Sequence, residues 1–297
     1  MVDNVGLIGF GIMGQTIAKK LIDNGYSISL FDIDLAATAR AERVGCKICN
    51  TPSSVALDTS IILISLPAPE HVRSVICDQT SGILSTAKSG SVIVDTSTID
   101  PKTTKDLAAK ARAVKVGYLD APVLGRPMSV GNWTLPTGGL SSDLEKAKPV
   151  LDLLAEKIVL VGPSGDGNKI KLLNNLMFGT INAITCEVFA FCKHLNIDTN
   201  LFFNTVSQSS AGTVSNLFKE LGPKIVNQDF LANFSINNLN KDMQLGLEMA
   251  KQSDARLPIS EGIQAINALG KDTEIGAEDT SALVKIFEKL IMIKDIS

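Results

Sequence analysis

The sequence predicts an α/β chain: a doubly wound parallel sheet of the Rossmann type, then an all-α domain entered through one long helix. Three observations predict it. An apolar run at the start passes straight into Gly9-Phe10-Gly11-Ile12-Met13-Gly14. Short apolar runs then alternate with helical stretches as far as Val161, the pattern of parallel strands joined by crossover helices. After the turn cluster Gly162-Pro163-Ser164-Gly165-Asp166-Gly167 no strand pattern returns, and helical periodicity takes over. The predicted domains are 1–162 and 163–297.

Buried strands are expected at 5–9, 27–31, 61–65, 91–94, 117–119 and 158–161, because each run is short, continuous and apolar. Helices at 14–24, 102–114 and 142–155 lie between several of them. Loops that follow parallel strands open on one edge of the sheet. Here they are Gly9–Gly14, Leu66-Pro67-Ala68-Pro69 and Thr96-Ser97-Thr98-Ile99-Asp100-Pro101. Residues 168–195 read as one helix that is apolar on most faces, with Ile170, Leu172, Leu173, Leu176, Met177, Ile181, Ile184, Val188 and Phe189. Such a helix is expected to be buried within a larger assembly. Further helices are expected at 199–208, 237–252, 258–269 and 279–293.

The opening glycines carry a specific chemistry. Gly9 can make the tight turn, Gly11 lets backbone approach a pyrophosphate, and Gly14 lets helix pack on strand. The amide groups around Ile12 and Met13 then sit at a positive helix terminus, which attracts phosphate. The second strand, Ser27–Phe31, ends in Asp32, eighteen residues beyond Gly14. A carboxylate at that distance can accept hydrogen bonds from a ribose diol and repels a 2′-phosphate. No Lys or Arg stands at 33–39 to hold such a phosphate. The expected cofactor is therefore NAD(H), with NADP(H) second.

Composition narrows the function classes. The 297 residues are 45% hydrophobic, enough for a large core, and the formal net charge of −3 with no basic block argues against nucleic acid. No apolar run is read as reaching the ~18 residues of a membrane span. The first strand starts within a few residues of Met1, so a signal peptide is not expected and the protein reads as cytoplasmic. Five cysteines, Cys46, Cys49, Cys77, Cys186 and Cys192, form no disulfide framework. Cys46-x-x-Cys49 lacks a second ligand pair, so no metal is expected there.

Two segments could carry chemistry. Lys171 and Asn175 are i, i+4 on the long helix and share a face. A lysine shielded there could act as a general acid/base toward a substrate oxygen, and Asn175 could donate to that oxygen or accept from its hydroxyl. Lys169 reads instead as a solvated residue. The second segment runs from Asp120 to Pro127 and closes with Gly131–Gly139. It reads as a Gly- and Pro-rich loop leaving a strand end. Gly125 could present a bare backbone N–H, and Arg126 could grip a carboxylate bidentately. That pairing suits a small acidic substrate. Asn240-Lys241-Asp242, taken alone, reads as an exposed charged turn.

Together these segments resemble the β-hydroxyacid dehydrogenase family, which includes 3-hydroxyisobutyrate dehydrogenase, tartronate semialdehyde reductase and, more distantly, 6-phosphogluconate dehydrogenase. The resemblance covers nearly the whole chain: Gly9–Gly14 with Met13, Leu66-Pro67, Ser97-Thr98-Ile99-Asp100-Pro101, Asp120-Ala121-Pro122-Val123, Gly165 and Gly167 with Lys171, Asn174 and Asn175, Lys241-Asp242, and Asp279-Thr280-Ser281-Ala282. It implies that Lys171 is the acid/base and that Asn175 orients the substrate, with Asn174 beside it. It further implies that Thr98 contacts the nicotinamide side of the cofactor and that Lys241 reaches the cofactor from the helical domain. Related imine reductases usually replace the lysine, so Lys171 points to hydroxyacid or semialdehyde chemistry.

The chain departs from the family at two places. The substrate loop usually continues Ser-Gly-Gly, and here it reads Leu124-Gly125-Arg126. His71 stands where the mitochondrial-type enzyme has an asparagine near the ribose. The expected function is hydride transfer between a nicotinamide cofactor and a small 3-hydroxy acid, with the helical domain building a homodimer or homotetramer. The alternatives are a reductase of glyoxylate, succinic semialdehyde or tartronate semialdehyde, and a non-catalytic NAD-binding interaction module.

Overall fold

The computed structural model describes residues 4–209, 212 and 215–292, the side chain of Met292 excepted. The chain divides into two compact units, one ending at Lys171 and the other starting at Leu172.

The first unit is built on eight strands: β1 (Asn4–Ile8), β2 (Ser27–Phe31), β3 (Lys47–Ile48), β4 (Ile61–Ile64), β5 (Val92–Asp95), β6 (Gly117–Asp120), β7 (Trp133–Gly138) and β8 (Ala155–Gly162). Their order is β3-β2-β1-β4-β5-β6-β7-β8. Neighbours from β3 to β6 run parallel, β7 is antiparallel to β6, and β8 is parallel to β7. The crossovers carry α1 (Ile12–Ile22), α2 (Leu35–Arg43), α3 (Pro52–Leu57), α4 (Pro69–Cys77) and α5 (Pro101–Ala113), and α6 (Ser141–Leu154) joins β7 to β8. Alternate side chains of each strand face opposite ways, so the apolar runs supply two cores. Leu7, Leu30, Leu63, Val94 and Leu119 join Ile17, Leu21 and Leu151 on one face. Ile8, Ile62, Ile64, Ile93 and Tyr118 join Val72, Ile76 and Leu107 on the other. This is the doubly wound sheet that the alternation predicts.

One expectation fails here. Residues 131–139 are not a loop: Trp133–Gly138 form β7. Trp133 and Leu135 are buried on the sheet's core side, which supplies the driving force for an extended segment. Pro136 is tolerated because the β6–β7 ladder holds only at Asp120 and Gly138, so no partner there needs its missing N–H.

In the second unit α7 (Asp166–His194) continues past Lys171. It is followed by α8 (Thr199–Gln208), α9 (Asn216–Val226), α10 (Ile236–Gln252), α11 (Pro258–Asn267) and α12 (Val284–Met292). The helix expected at 279–293 is a 3₁₀ turn over Thr280–Leu283 followed by α12, and residue 293 lies outside the described residues. The sequence reading missed α9, whose centre holds Gly222-Pro223, a pair that ordinarily ends a helix. Gly222 earns its place by packing: a Cβ there would run into the ring of Phe203.

The long helix is apolar on most faces, and the single chain covers only one side of it. α7 buries Ala183, Cys186, Phe189 and Ala190 against Phe218, Leu221, Ile225 and Phe287. Leu173, Met177, Ile184 and Phe191 remain exposed along another face. Burial is therefore one-sided in the single chain, because neighbouring helices cover only the side that carries the small residues. By length and composition α7 is apolar enough to cross a membrane, but 56% of its most apolar window is buried inside the protein, as in a core helix.

Candidate active site

The site in the first unit starts at the end of β1. Gly9 donates from its N–H to the Phe31 carbonyl at 2.9 Å and takes a φ of +97°, a backbone region that favours glycine. A Cβ at Gly14 would collide with the Gly9 carbonyl oxygen, so Gly14 is what lets α1 start this close to β1. At Gly11 a Cβ would meet nothing within 4 Å. No side chain caps α1, leaving the first-turn N–H groups of Ile12, Met13 and Gly14 to a partner other than a capping side chain. An exposed glycine edge and an uncapped helix N-terminus form a cradle that fits a pyrophosphate. Asp32 is fixed beside it: Phe10 N–H donates to Oδ2 at 2.6 Å and Asp34 N–H to Oδ1 at 2.8 Å. The exposed Ile33 and Leu35, which the sequence reading passed over, follow Asp32 as an apolar shoulder. Arg40, just beyond the 33–39 window, reaches Asp34 at 3.9 Å.

The loops after β4 and β5 are tied together. Leu66 N–H donates to Ser97 Oγ at 2.9 Å, which sets the half-buried Leu66 and the exposed Pro67 next to the loop bearing Thr98. Ser97 N–H in turn donates to Asp95 Oδ1 at 2.9 Å. His71 is exposed in the first turn of α4.

The loop after β6 meets the start of α7. Lys171 Nζ donates to the Val123 carbonyl at 2.8 Å, placing the amine at the C-terminal edge of the sheet, the edge that also carries the glycine turn. At the next residue the chain pairs with the strand that follows: Leu124 pairs with Thr134 through both N–H···O bonds. Gly125 is required by Trp133, because a Cβ would strike the indole. The indole N–H donates to the Arg126 carbonyl at 2.8 Å, so the backbone under Arg126 is held rigidly. Lys169 is not simply solvated, since it pairs with Asp166 at 2.6 Å.

In the second unit α10 crosses α7 closely. Gly179 makes the crossing possible, since a Cβ there would meet the Met243 sulfur. The crossing sets Asp242 against Asn175, both 2% exposed. Asn175 Nδ2 donates to Asp242 Oδ2 at 2.5 Å, and Lys241 Nζ lies 2.8 Å from Oδ1, an ion pair off the line of a hydrogen bond. A carboxylate only accepts here, which settles the flip of the Asn175 amide. Its Oδ1 accepts from Asn174 Nδ2 at 3.0 Å, leaving one Nδ2 hydrogen as its outward donor. Lys241-Asp242 is thus no exposed turn; it lies within a helix, with the carboxylate buried.

Two buried residues matter that sequence reasoning did not assign. Asp120 is fully buried and caps the start of α7, and burial pushes its carboxyl up to about 6 despite the lowering pull of Gly165 and Asn168 N–H groups. Asn168, also fully buried, bonds Ile99 N–H and Thr104 Oγ1. The signal for both was the glycine pair Gly165 and Gly167 around a polar residue at a helix start. The cysteine pair flanks the two-residue β3, and burial pushes the Cys46 thiol up to about 11 and raises Cys49 as well. Two shallow grooves, of about 560 and 390 Å³, lie elsewhere, one along α10 and α11 and one at the opposite end of β4 and β5. Neither contains any of the residues above.

Comparison with known proteins identifies the family. Residues 4–162 match the family model described as the NAD binding domain of 6-phosphogluconate dehydrogenase. Residues 165–287 match the one described as NAD-binding of NADP-dependent 3-hydroxyisobutyrate dehydrogenase. The chain is 30% identical over 288 residues to 2-(hydroxymethyl)glutarate dehydrogenase of Eubacterium barkeri, covering 96% of this chain and 95% of that protein. It is 27% identical to 3-sulfolactaldehyde reductase of Escherichia coli, over 95% of this chain and 94% of the relative. A crystal structure of 3-hydroxyisobutyrate dehydrogenase from Salmonella typhimurium superposes with a TM-score of 0.86 at 25% identity, covering 96% of this chain and 99% of the other.

Proposed function

Because this chain belongs to the β-hydroxyacid dehydrogenase family of NAD(P)-dependent oxidoreductases, we propose that it oxidises a small 3-hydroxy acid reversibly, with Lys171 as general acid/base. One observation carries the reading: the Lys171 amine is held by a backbone carbonyl on the sheet edge that bears the phosphate cradle. A nicotinamide cofactor, when bound, would supply the hydride acceptor for the carbinol carbon and the hydride donor in the reverse direction. In oxidation the neutral Lys171 amine takes the hydroxyl proton; in reduction its ammonium form donates that proton to the carbonyl oxygen. Asn175, fixed as a donor, orients the same oxygen, and Asn174 holds Asn175 in place. Gly9, Gly11, Ile12, Met13 and Gly14 hold the pyrophosphate. Asp32 holds the ribose and favours NAD over NADP, while Leu66, Pro67, His71, Thr98 and Lys241 complete the cofactor contacts.

For the substrate, Leu124 and Gly125 form the backbone wall, and Arg126 clamps a carboxylate, compensating for the family's usual serine, whose place Leu124 takes. The relatives support an anionic head: 3-hydroxyisobutyrate and 2-(hydroxymethyl)glutarate both place a hydroxyl on the carbon β to a carboxylate, and sulfolactaldehyde bears a sulfonate. Arg126 also favours a second reading, reduction of a short semialdehyde acid such as glyoxylate, succinic semialdehyde or tartronate semialdehyde. The exposed row Leu173, Met177, Ile184 and Phe191 supports a homodimer or homotetramer built through the helical half. The free thiols support a reducing, cytoplasmic setting.

The test is a panel of 3-hydroxy acids and semialdehydes with NAD(H) and NADP(H) in parallel, repeated with Lys171→Ala and Arg126→Ala. We expect Lys171→Ala to lose about a thousandfold in kcat while calorimetry still detects NADH binding. Arg126→Ala should raise KM for the acid by about tenfold or more. Near-native turnover in Lys171→Ala removes the acid/base assignment, and an unchanged KM removes the clamp.

A further inference from the structure

The start of α7 is bolted to the sheet by a fully buried carboxylate whose two oxygens both accept from backbone N–H groups. Asp120 Oδ1 accepts from Gly165 N–H at 2.8 Å and Oδ2 from Asn168 N–H at 2.9 Å. Glycines make room for it: a Cβ on Gly138 would lie 2.5 Å from Oδ1, and one on Gly167 would lie 2.9 Å from Oδ2. Asn168 extends the bolt, accepting from Ile99 N–H at Oδ1 and donating to Thr104 Oγ1, each at 3.2 Å. Three residues after Asp120, the Val123 carbonyl accepts from the Lys171 amine at 2.8 Å. The segment 120–123 therefore grips both the first turn of the helix and the amine that the helix carries, closing a ring through two different chemistries. Helix-start N–H groups are ordinarily satisfied by a surface Ser, Thr or Asn at little cost. Here a fully buried aspartate does it, although burial raises its carboxyl to about 6. A group that costly is kept for where it holds the helix.

We propose that Asp120, working through Asn168 and the first turn of α7, is the positioning residue that keeps the Lys171 amine on the Val123 carbonyl; this rests on the reading of Lys171 as acid/base. Loss of the bolt lets the first turn of α7 fray and the amine leave its seat. A displacement on the order of 1 Å at a proton-transfer group lowers turnover by about a hundredfold at most, with little effect on substrate affinity.

The experiment uses the full chain and the variants Asp120→Asn, Asp120→Ala and Thr104→Val. Two readouts are taken: the rate at which a lysine-selective acylating reagent labels Lys171 relative to the other lysines, by mass spectrometry, and steady-state kcat and KM. Labelling of Lys171 should rise by about threefold or more, and kcat should fall by about tenfold or more, with KM within about twofold. The order should be Thr104→Val, then Asp120→Asn, then Asp120→Ala, because the Asn carbonyl still accepts one of the two N–H groups. Unchanged labelling of Lys171 in folded Asp120→Asn overturns the proposal, whatever happens to kcat. If the Asp120 variants do not fold, unchanged labelling in the milder Thr104→Val overturns it. Faster labelling with undiminished kcat upholds the positioning and instead sinks the acid/base role of Lys171.

Discussion

In the sheet unit Asp120 meets backbone, accepting from two amide N–H groups at a helix start; in the helical unit Asp242 meets side chains, the amide of Asn175 and the ammonium of Lys241. Both carboxylates are buried, and both stand next to a residue proposed for chemistry. Backbone partners stay where the fold puts them, so Asp120 fixes an element. Side-chain partners keep rotamer freedom until something orders them, so Asp242 fixes orientations within an element already placed by Gly179 and Met243. The sheet unit thus supplies rigid anchors, and the helical unit supplies adjustable donors.

The largest expected effect breaks the backbone side of that contrast. Gly14→Ala drives a Cβ into the Gly9 carbonyl, so the start of α1 must shift away from β1. We expect calorimetric affinity for NADH to fall by about a hundredfold and the protein to lose about 1–3 kcal/mol of stability in urea titration. Retained affinity would show that the cradle does not depend on this close approach.

The next breaks the side-chain contrast. Asp242→Asn removes the negative charge between Asn175 and Lys241 while keeping the shape. Turnover should fall by about tenfold, and thermal stability should change far less than turnover, because α10 remains packed through Met243. A variant as active as the parent would mean that Asn175 needs no such partner.

A third effect, confined to stability, is a pH dependence. The Asp120 carboxyl titrates near 6 in the fold, against about 3.9 in an unfolded chain. The native state therefore binds more protons than the unfolded state between about pH 4 and 6, and this group's contribution to stability falls as pH rises through that window. Relative to Asp120→Asn, the parent should gain up to about 3 kcal/mol between pH 7.5 and pH 4. Parallel urea titrations at the two pH values check it. A constant difference between the two proteins would place the Asp120 carboxyl at its ordinary value.

Much of the sheet unit was legible because its strands are continuous apolar runs and its turns require glycine. Gly9 and Gly14 were read from spacing as a tight turn and a close helix–strand approach, and the structure has both. β7 was hidden because Gly131, Pro136, Gly138 and Gly139 look like loop punctuation; the glycines are there to admit Asp120 and the turn, which only the neighbouring strand reveals. α9 was hidden for the same kind of reason, with Gly222 serving the ring of Phe203. Lys171 and Asn175 were legible as an i, i+4 pair, but the partners that hold them, a carbonyl 48 residues earlier in sequence and a carboxylate 67 residues later, are products of tertiary structure. Lys241-Asp242 read alone as solvent-facing charge because no local pattern marks the burial of Asp242.

Trp133 is the chain's single tryptophan, and it is fully buried with its indole N–H on the Arg126 carbonyl and its ring against Gly125. Its intrinsic emission therefore reports one joint and no other. A blue-shifted native spectrum moves to the red when that joint opens to water, so tryptophan fluorescence watches the Leu124–Arg126 bend without any label. The molecule carries its own optical gauge at the place where its substrate preference is expected to be decided.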